Sequence, residues 1–133
     1  MRRMPVSITV ATTFVLLGIG GCSSEEPPVC DSIDAAQATM GQIRNANVSE
    51  NGLNELKADL RQFSVDLQQV ATDAAARFGS EIDAVKLAAS QFSTSVAAAQ
   101  AAPDATSLAS VRASRVLLED SVQRLDDAVS ETC

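Results

Sequence analysis

The sequence predicts an all-α fold, an antiparallel up-down bundle of four helices. Three observations predict it. Apolar residues recur at steps of three and four over most of the chain, the helical period. Strong helix formers dominate, with 22 Ala, while aromatic residues make up only 3%, which disfavours a sheet. Turn and cap residues punctuate the stripes at intervals that suit helices rather than strands.

The first stripe runs Val29, Ile33, Ala36, Met40, Ile43, and Asp31 or Ser32 is the expected cap of that helix. Val48-Ser49-Glu50-Asn51-Gly52 is the first connection, with Asn51 as a plausible N-cap. The second stripe runs Leu53, Leu56, Leu60, Phe63, Leu67, Val70, Ala74. The third runs Phe78, Ile82, Val85, Ala89, Phe92, Val96, Ala99. Pro103 ends it, and Asp104 is placed to cap the last helix. The last stripe is Leu108, Val111, Arg115, Leu118, Val122, Leu125, Val129. Arg115 is its one charge, expected near a helix end or snorkelling along the bundle edge.

The break between the second and third stripes is the open point. Gly79 fits a C′ position and Ser80 an N-cap, with Asp83 three residues on. A continuous helix also tolerates the step. The alternative is therefore three helices, with 52–102 as one helix about 76 Å long and the outer two laid end to end along it. Four segments bury more Leu and Val, which favours the bundle.

The first thirty residues carry the address. Arg2 and Arg3 form a positive n-region, and Val6 to Ile19 is mostly apolar. That stretch is shorter than the ~20 residues of a membrane span and suits a signal-peptide h-region. No wider motif for twin-arginine export surrounds Arg2-Arg3. Ile19-Gly20-Gly21-Cys22 resembles the lipobox of bacterial lipoproteins. The resemblance implies cleavage between Gly21 and Cys22, attachment of diacylglycerol to Cys22, and anchoring to the extracytoplasmic face of the cell membrane. The domains then divide as a signal peptide over 1–21, a lipidated Cys and short tether over 22–29, and a helical bundle over 30–133. The removed segment holds two Arg and no acid, so the mature chain has 8 basic against 17 acidic side chains, net −9. Such charge is repelled by anionic lipid, so flat docking on the bilayer is not expected.

Cys30 and Cys133 bracket the domain. Export places them where disulfides persist. With Cys22 acylated, they are the two thiols left to pair. The rivals are an intermolecular bond through Cys133 and two free thiols.

The residues over 30–133 are similar to those of a group of small, uncharacterised actinobacterial-type exported proteins and lipoproteins bracketed by two Cys. The matching stretches are Leu53 to Leu60, Phe78 to Leu87 and Val129 to Cys133. The resemblance implies an envelope location and a helical fold, and no activity.

Composition narrows the function classes. The chain has no His, Trp or Tyr, which removes the usual general base and metal ligand together with the usual interface anchors. An acidic balance argues against a nucleic-acid partner. Lys57 and Lys86 lack the Ser-x-x-Lys setting, and no Gly-rich phosphate loop exists. No catalytic or metal site and no cofactor is expected, so the chain reads as a non-enzyme. Glu119-Asp120 and Asp126-Asp127 lack a calcium-loop pattern. Asp73–Arg77 and Asp120–Arg124 read as favourable pairs one helical turn apart. Asn47-Val48-Ser49 matches a glycosylation sequon, accidental in a bacterial lipoprotein. Two readings of function remain. One is an anchored envelope lipoprotein with a structural or protein-interaction role. The other is a lipoprotein that holds a lipid or small molecule in an apolar groove, with a cavity lined by Phe63, Phe78 and Phe92.

Overall fold

The computed structural model describes residues 27–133. The segments expected to form the signal peptide, the lipobox at Cys22 and most of the tether lie outside the described residues. Three helices follow in order: α1 Pro28–Asn45, α2 Leu53–Ala101 and α3 Ala105–Val129, with a single 3-10 turn at Glu50–Gly52 before α2. The described part is all-α, as predicted. Cys30 and Cys133 are joined in a disulfide, with Cα atoms 5.6 Å apart.

The chain starts α1 earlier than the cap residues imply. Pro28 stands in its first turn and Pro27 at its N-cap, where a missing N–H costs nothing and the fixed φ suits a helix. Neither Asp31 nor Ser32 caps it. The Ser32 hydroxyl instead donates to the Pro28 and Val29 carbonyls inside the helix. The helical domain therefore begins two residues before Cys30, inside the segment assigned to the tether.

Asn51 does not cap α2, because it lies inside the 3-10 turn and Gly52 occupies the cap position. Gly52 is required by close approach rather than by its own dihedrals. A Cβ there would stand 1.9 Å from the Asn47 carbonyl oxygen. Asp104 does cap α3. Its carboxylate accepts from the Ser107 N–H at 2.8 Å, and the Ser107 hydroxyl accepts from the Asp104 N–H at 3.1 Å. This reciprocal box satisfies two of the donors that a helix start leaves open.

α2 is helical from Leu53 to Ala101 in one stretch, in line with three helical segments, but it is not a straight rod. Phe78 leaves the helical region, with φ −119° and ψ 25°. Asn54, near the start of α2, accepts a hydrogen bond from Gln100, near its end, at 3.0 Å. In a straight helix those residues would stand about 69 Å apart. The limbs 53–77 and 79–101 therefore run antiparallel. The reversal sits at Phe78 rather than at a left-handed Gly79, and no described glycine has positive φ.

α1 and α3 also lie side by side rather than end to end. Cys30 bonds to Cys133, Gln37 donates to Asp126, and the Arg112 guanidinium reaches the Val48 carbonyl. These pairs descend one element as they climb the other, which is antiparallel packing. Thr39 of α1 donates to Asp66 in the first limb of α2. Cys30, the Phe78 bend and Cys133 consequently share one pole.

The core is the set of apolar stripes. Ile43, Leu56, Val70, Val85, Phe92, Val111 and Leu118 are all fully buried. The predicted stripes of α1 and of the first limb are buried throughout. Two departures are instructive. Ala88 is buried in place of Ala89, and Ser114 and Ser121 are buried where the hydropathy stripe placed Arg115 and Val122. The two serines satisfy themselves locally. Ser114 donates to the Ser110 carbonyl at 2.9 Å and Ser121 to the Leu118 carbonyl at 2.8 Å. A hydroxyl bonded back to its own helix can be buried at low cost, and its small volume lets neighbouring helices close in. Among the described residues, no helix is long and apolar enough to cross a membrane.

Candidate functional site

Three places on this scaffold gather polar chemistry. The first is the disulfide pole. Cys30 is buried in the first turn of α1, and Cys133 follows the turn that ends α3. The bond closes a separation of 103 residues. The chain enters at Pro27 on the same pole, so any tether to Cys22 leaves from here.

The second is an arginine clamp at the far end of α1. Arg115 sits in mid-α3, not near its end, yet it serves the end of another helix. Its guanidinium donates to the Arg44 and Ala46 carbonyls at 3.3 and 3.4 Å. A cation on the last carbonyls of a helix answers both the open acceptors and the negative end of the dipole. Glu119 lies 3.9 Å from Nε of both Arg115 and Arg44. That is ion-pair contact but too long for a hydrogen bond. Arg112 completes the clamp by donating to the Val48 carbonyl at 3.2 Å. The stripe position that looked anomalous is thus a clasp between α1, its following loop and α3.

The third is a groove between the two limbs of α2, on the flank away from the disulfide-linked helices. It has a volume of about 540 Å³. Leu60, Leu67 and Ala89 form its apolar floor, and Lys57, Arg61 and Lys86 stand along it with Ser64, Ser90, Ser93, Thr94 and Gln68. No carboxylate lines it. Among the described residues none of the three cations has an ion-pair partner. This contrasts with the neighbouring groove between α1 and α2, where Glu55 and Asp59 are the only charges in the lining. Lys57, Arg61 and Lys86 are exposed on regular helix, so their positions are set by backbone register rather than by burial.

The acidic pairs of α3 are occupied by neighbours. Asp120 pairs with Arg124 at 2.7 Å, as the spacing predicts. Asp126 accepts from Gln37, Asp127 accepts from Gln123, and Glu119 stands between two arginines. Asp73 does not pair with Arg77. It accepts from Gln69, and the Arg77 guanidinium lies over the Phe78 ring, 5.3 Å from its centroid. A desolvated ring face beside the bend competes well for an exposed cation.

Phe63, Phe78 and Phe92 are buried, at 1%, 6% and 0% exposure. They do not surround a common cavity. The crevice that Phe63 borders, with Ile33, Leu67, Val85 and Leu125, holds about 10 Å³. That is room for one water at most. The flank groove is not visible in the sequence alone, because Lys57 and Lys86 belong to limbs that only the bend at Phe78 brings together. The available signal was that Lys57 and Arg61 sit one turn apart with no acid at a matching spacing on the groove side. No protein-family model, curated protein or solved structure matches this chain.

Proposed function

We propose that the protein is a non-catalytic lipoprotein of the cell envelope, anchored through diacylglyceryl Cys22 on the extracytoplasmic face, whose bundle serves protein interaction. The observation that carries the reading is the placement of the chain entry. Pro27 leaves the bundle at the disulfide pole, next to the bracketed ends of α1 and α3. Pro27 stands five residue steps beyond Cys22, a reach of about 17 Å at ~3.3 Å per residue. A bundle tied so closely stands pole-down on the bilayer and presents its flanks, including the α2 groove, to other envelope components.

The two limbs of α2 act as separate helices in this reading, giving an up-down-up-down four-helix bundle. Its packed interior supports a scaffold rather than a container.

Replacement Cys22→Ala tests the anchor. It is expected to move the protein from the membrane fraction to the soluble extracytoplasmic fraction, and retention on membranes would refute lipidation at Cys22. The second reading, a lipid or small-molecule carrier, is favoured by the volume of the flank groove, which falls in the range of ligand sites. Native mass spectrometry separates them: mass bound to the purified protein supports the carrier, and a clean apo spectrum supports the interaction role.

A further inference from the structure

The geometry points to the α2 flank groove as the docking site for an acidic, amphipathic helix of a protein partner. This rests on the interaction reading above and names its surface and the chemistry of its occupant. Charge is the first argument. The described residues carry 8 basic and 15 acidic side chains, yet three of the eight cations gather in a groove whose lining has no carboxylate. The remaining described surface holds five basic against fifteen acidic side chains. This groove alone among the grooves described above attracts acidic partners.

Spacing is the second argument. Lys57 and Arg61 are one turn apart, about 6 Å along the axis. The Asn54–Gln100 hydrogen bond sets the register of the limbs and places Lys86 opposite Gln68. The three cations are therefore spread over about 16 Å. A single phosphate or carboxylate needs donors that converge on one point. A row of cations over three helical turns suits carboxylates repeated along one face of a helix.

The floor supplies the third argument. Leu60, Leu67 and Ala89 lie at the base, and the Lys and Arg stems can cover the apolar face of an occupant while their heads reach outward. Val65, one residue from Ser64, and Leu87, one residue from Lys86, are 59% and 63% exposed beside the groove. Exposed residues of that size next to a cation-lined trough extend the apolar contact that a helix in a groove uses. A bilayer is a poorer occupant. The groove is concave, a trough between two helices that a rod-shaped occupant fills and a planar headgroup layer does not follow.

The test uses the full chain in detergent micelles and fluorescence anisotropy. The probe is a labelled helical peptide with Glu residues spaced as Lys57, Arg61 and Lys86 are spaced, and Leu on the adjoining face. Binding is expected to weaken at least about tenfold, or 1.4 kcal/mol, in the Lys57→Glu, Lys86→Glu double variant, and to weaken with added salt. Arg124→Glu, on another flank, is expected to bind as the parent does. A peptide with Lys in place of Glu is expected to prefer the double variant. Equal binding of the Glu and Lys peptides to the parent, or no effect of the double variant, overturns the proposal. So does groove-dependent binding of inorganic phosphate or of phosphatidylglycerol vesicles tighter than that of the peptide. Photocrosslinkers at Ser64 and at Gln123 separate the two levels of inference in cells. Protein adducts from Gln123 with none from Ser64 overturn the groove and keep the interaction role, whereas adducts from neither position overturn both.

Discussion

The disulfide offers the sharpest quantitative test of the fold. Replacing Cys30 and Cys133 by Ser releases a closure of 103 residues. In the chain-entropy model a loop of that size costs the unfolded state about 4.7 kcal/mol of freedom. The native state loses little besides, because Gln37–Asp126 and the Arg112 and Arg115 contacts still hold α1 against α3. Single domains have about 5–15 kcal/mol in all, so the variant should lose a third or more of its stability. At roughly 4 °C or more per kcal/mol for a domain of this size, its Tm should fall by about 20 °C. Urea unfolding followed by far-UV circular dichroism measures the effect, with the parent protein under reductant as the control against the Cys30 side-chain change. The urea dependence should steepen as well, because an uncrosslinked chain exposes more surface on unfolding. A loss below about 1 kcal/mol in both the variant and the reduced parent would refute the reasoning. It would mean that the unfolded chain already holds its ends together.

Three further predictions test local features. Gly52→Ala should destabilise by about 1–3 kcal/mol, the usual range for overpacking, because its Cβ would strike the Asn47 carbonyl; Gly41→Ala and Gly79→Ala meet nothing within 4 Å and should each stabilise by about 0.5–1 kcal/mol, so denaturation midpoints should move in opposite directions. Asp104→Ala should cost about 1 kcal/mol by removing the cap of α3, and Asp104→Asn should recover most of it in the same assay. Spin labels at Asn54 and Gln100 should report backbones about one interhelical spacing apart, ~10 Å, whereas a straight α2 would give about 69 Å.

Much of the fold was legible because it follows from periodicity. The stripes of α1 and of the first limb of α2 are buried residue for residue, since Leu, Ile, Val and Phe at helical spacing have no other stable place to go. The Asp104 cap was legible because Pro103 forces a stop just before it. The missed details share one cause: their partners come from elsewhere in the chain or from the backbone. Ser114 and Ser121 read as surface until the carbonyls behind them are counted. Asp31 and Ser32 read as caps until Pro28 takes the first turn. Arg115 reads as a helix-end residue or one snorkelling along the bundle edge, and it does serve a helix end, but that of α1 rather than its own.

The groove was the least legible feature, and the reason lies in Phe78. Lys57 and Arg61 belong to one limb and Lys86 to the other, and along an unbent helix Lys86 would stand about 38 Å beyond Arg61. Only the reversal at Phe78 brings them to one trough, and only the register fixed between Asn54 and Gln100 sets Lys86 opposite Gln68. The break that the sequence leaves open between the second and third stripes thus decides whether three scattered cations form a surface at all. The bend and the groove are therefore coupled. A change that straightened α2 at Phe78 would disperse the cations while leaving every one of them in place, so binding of an acidic helix is a sensitive reporter of the bend itself.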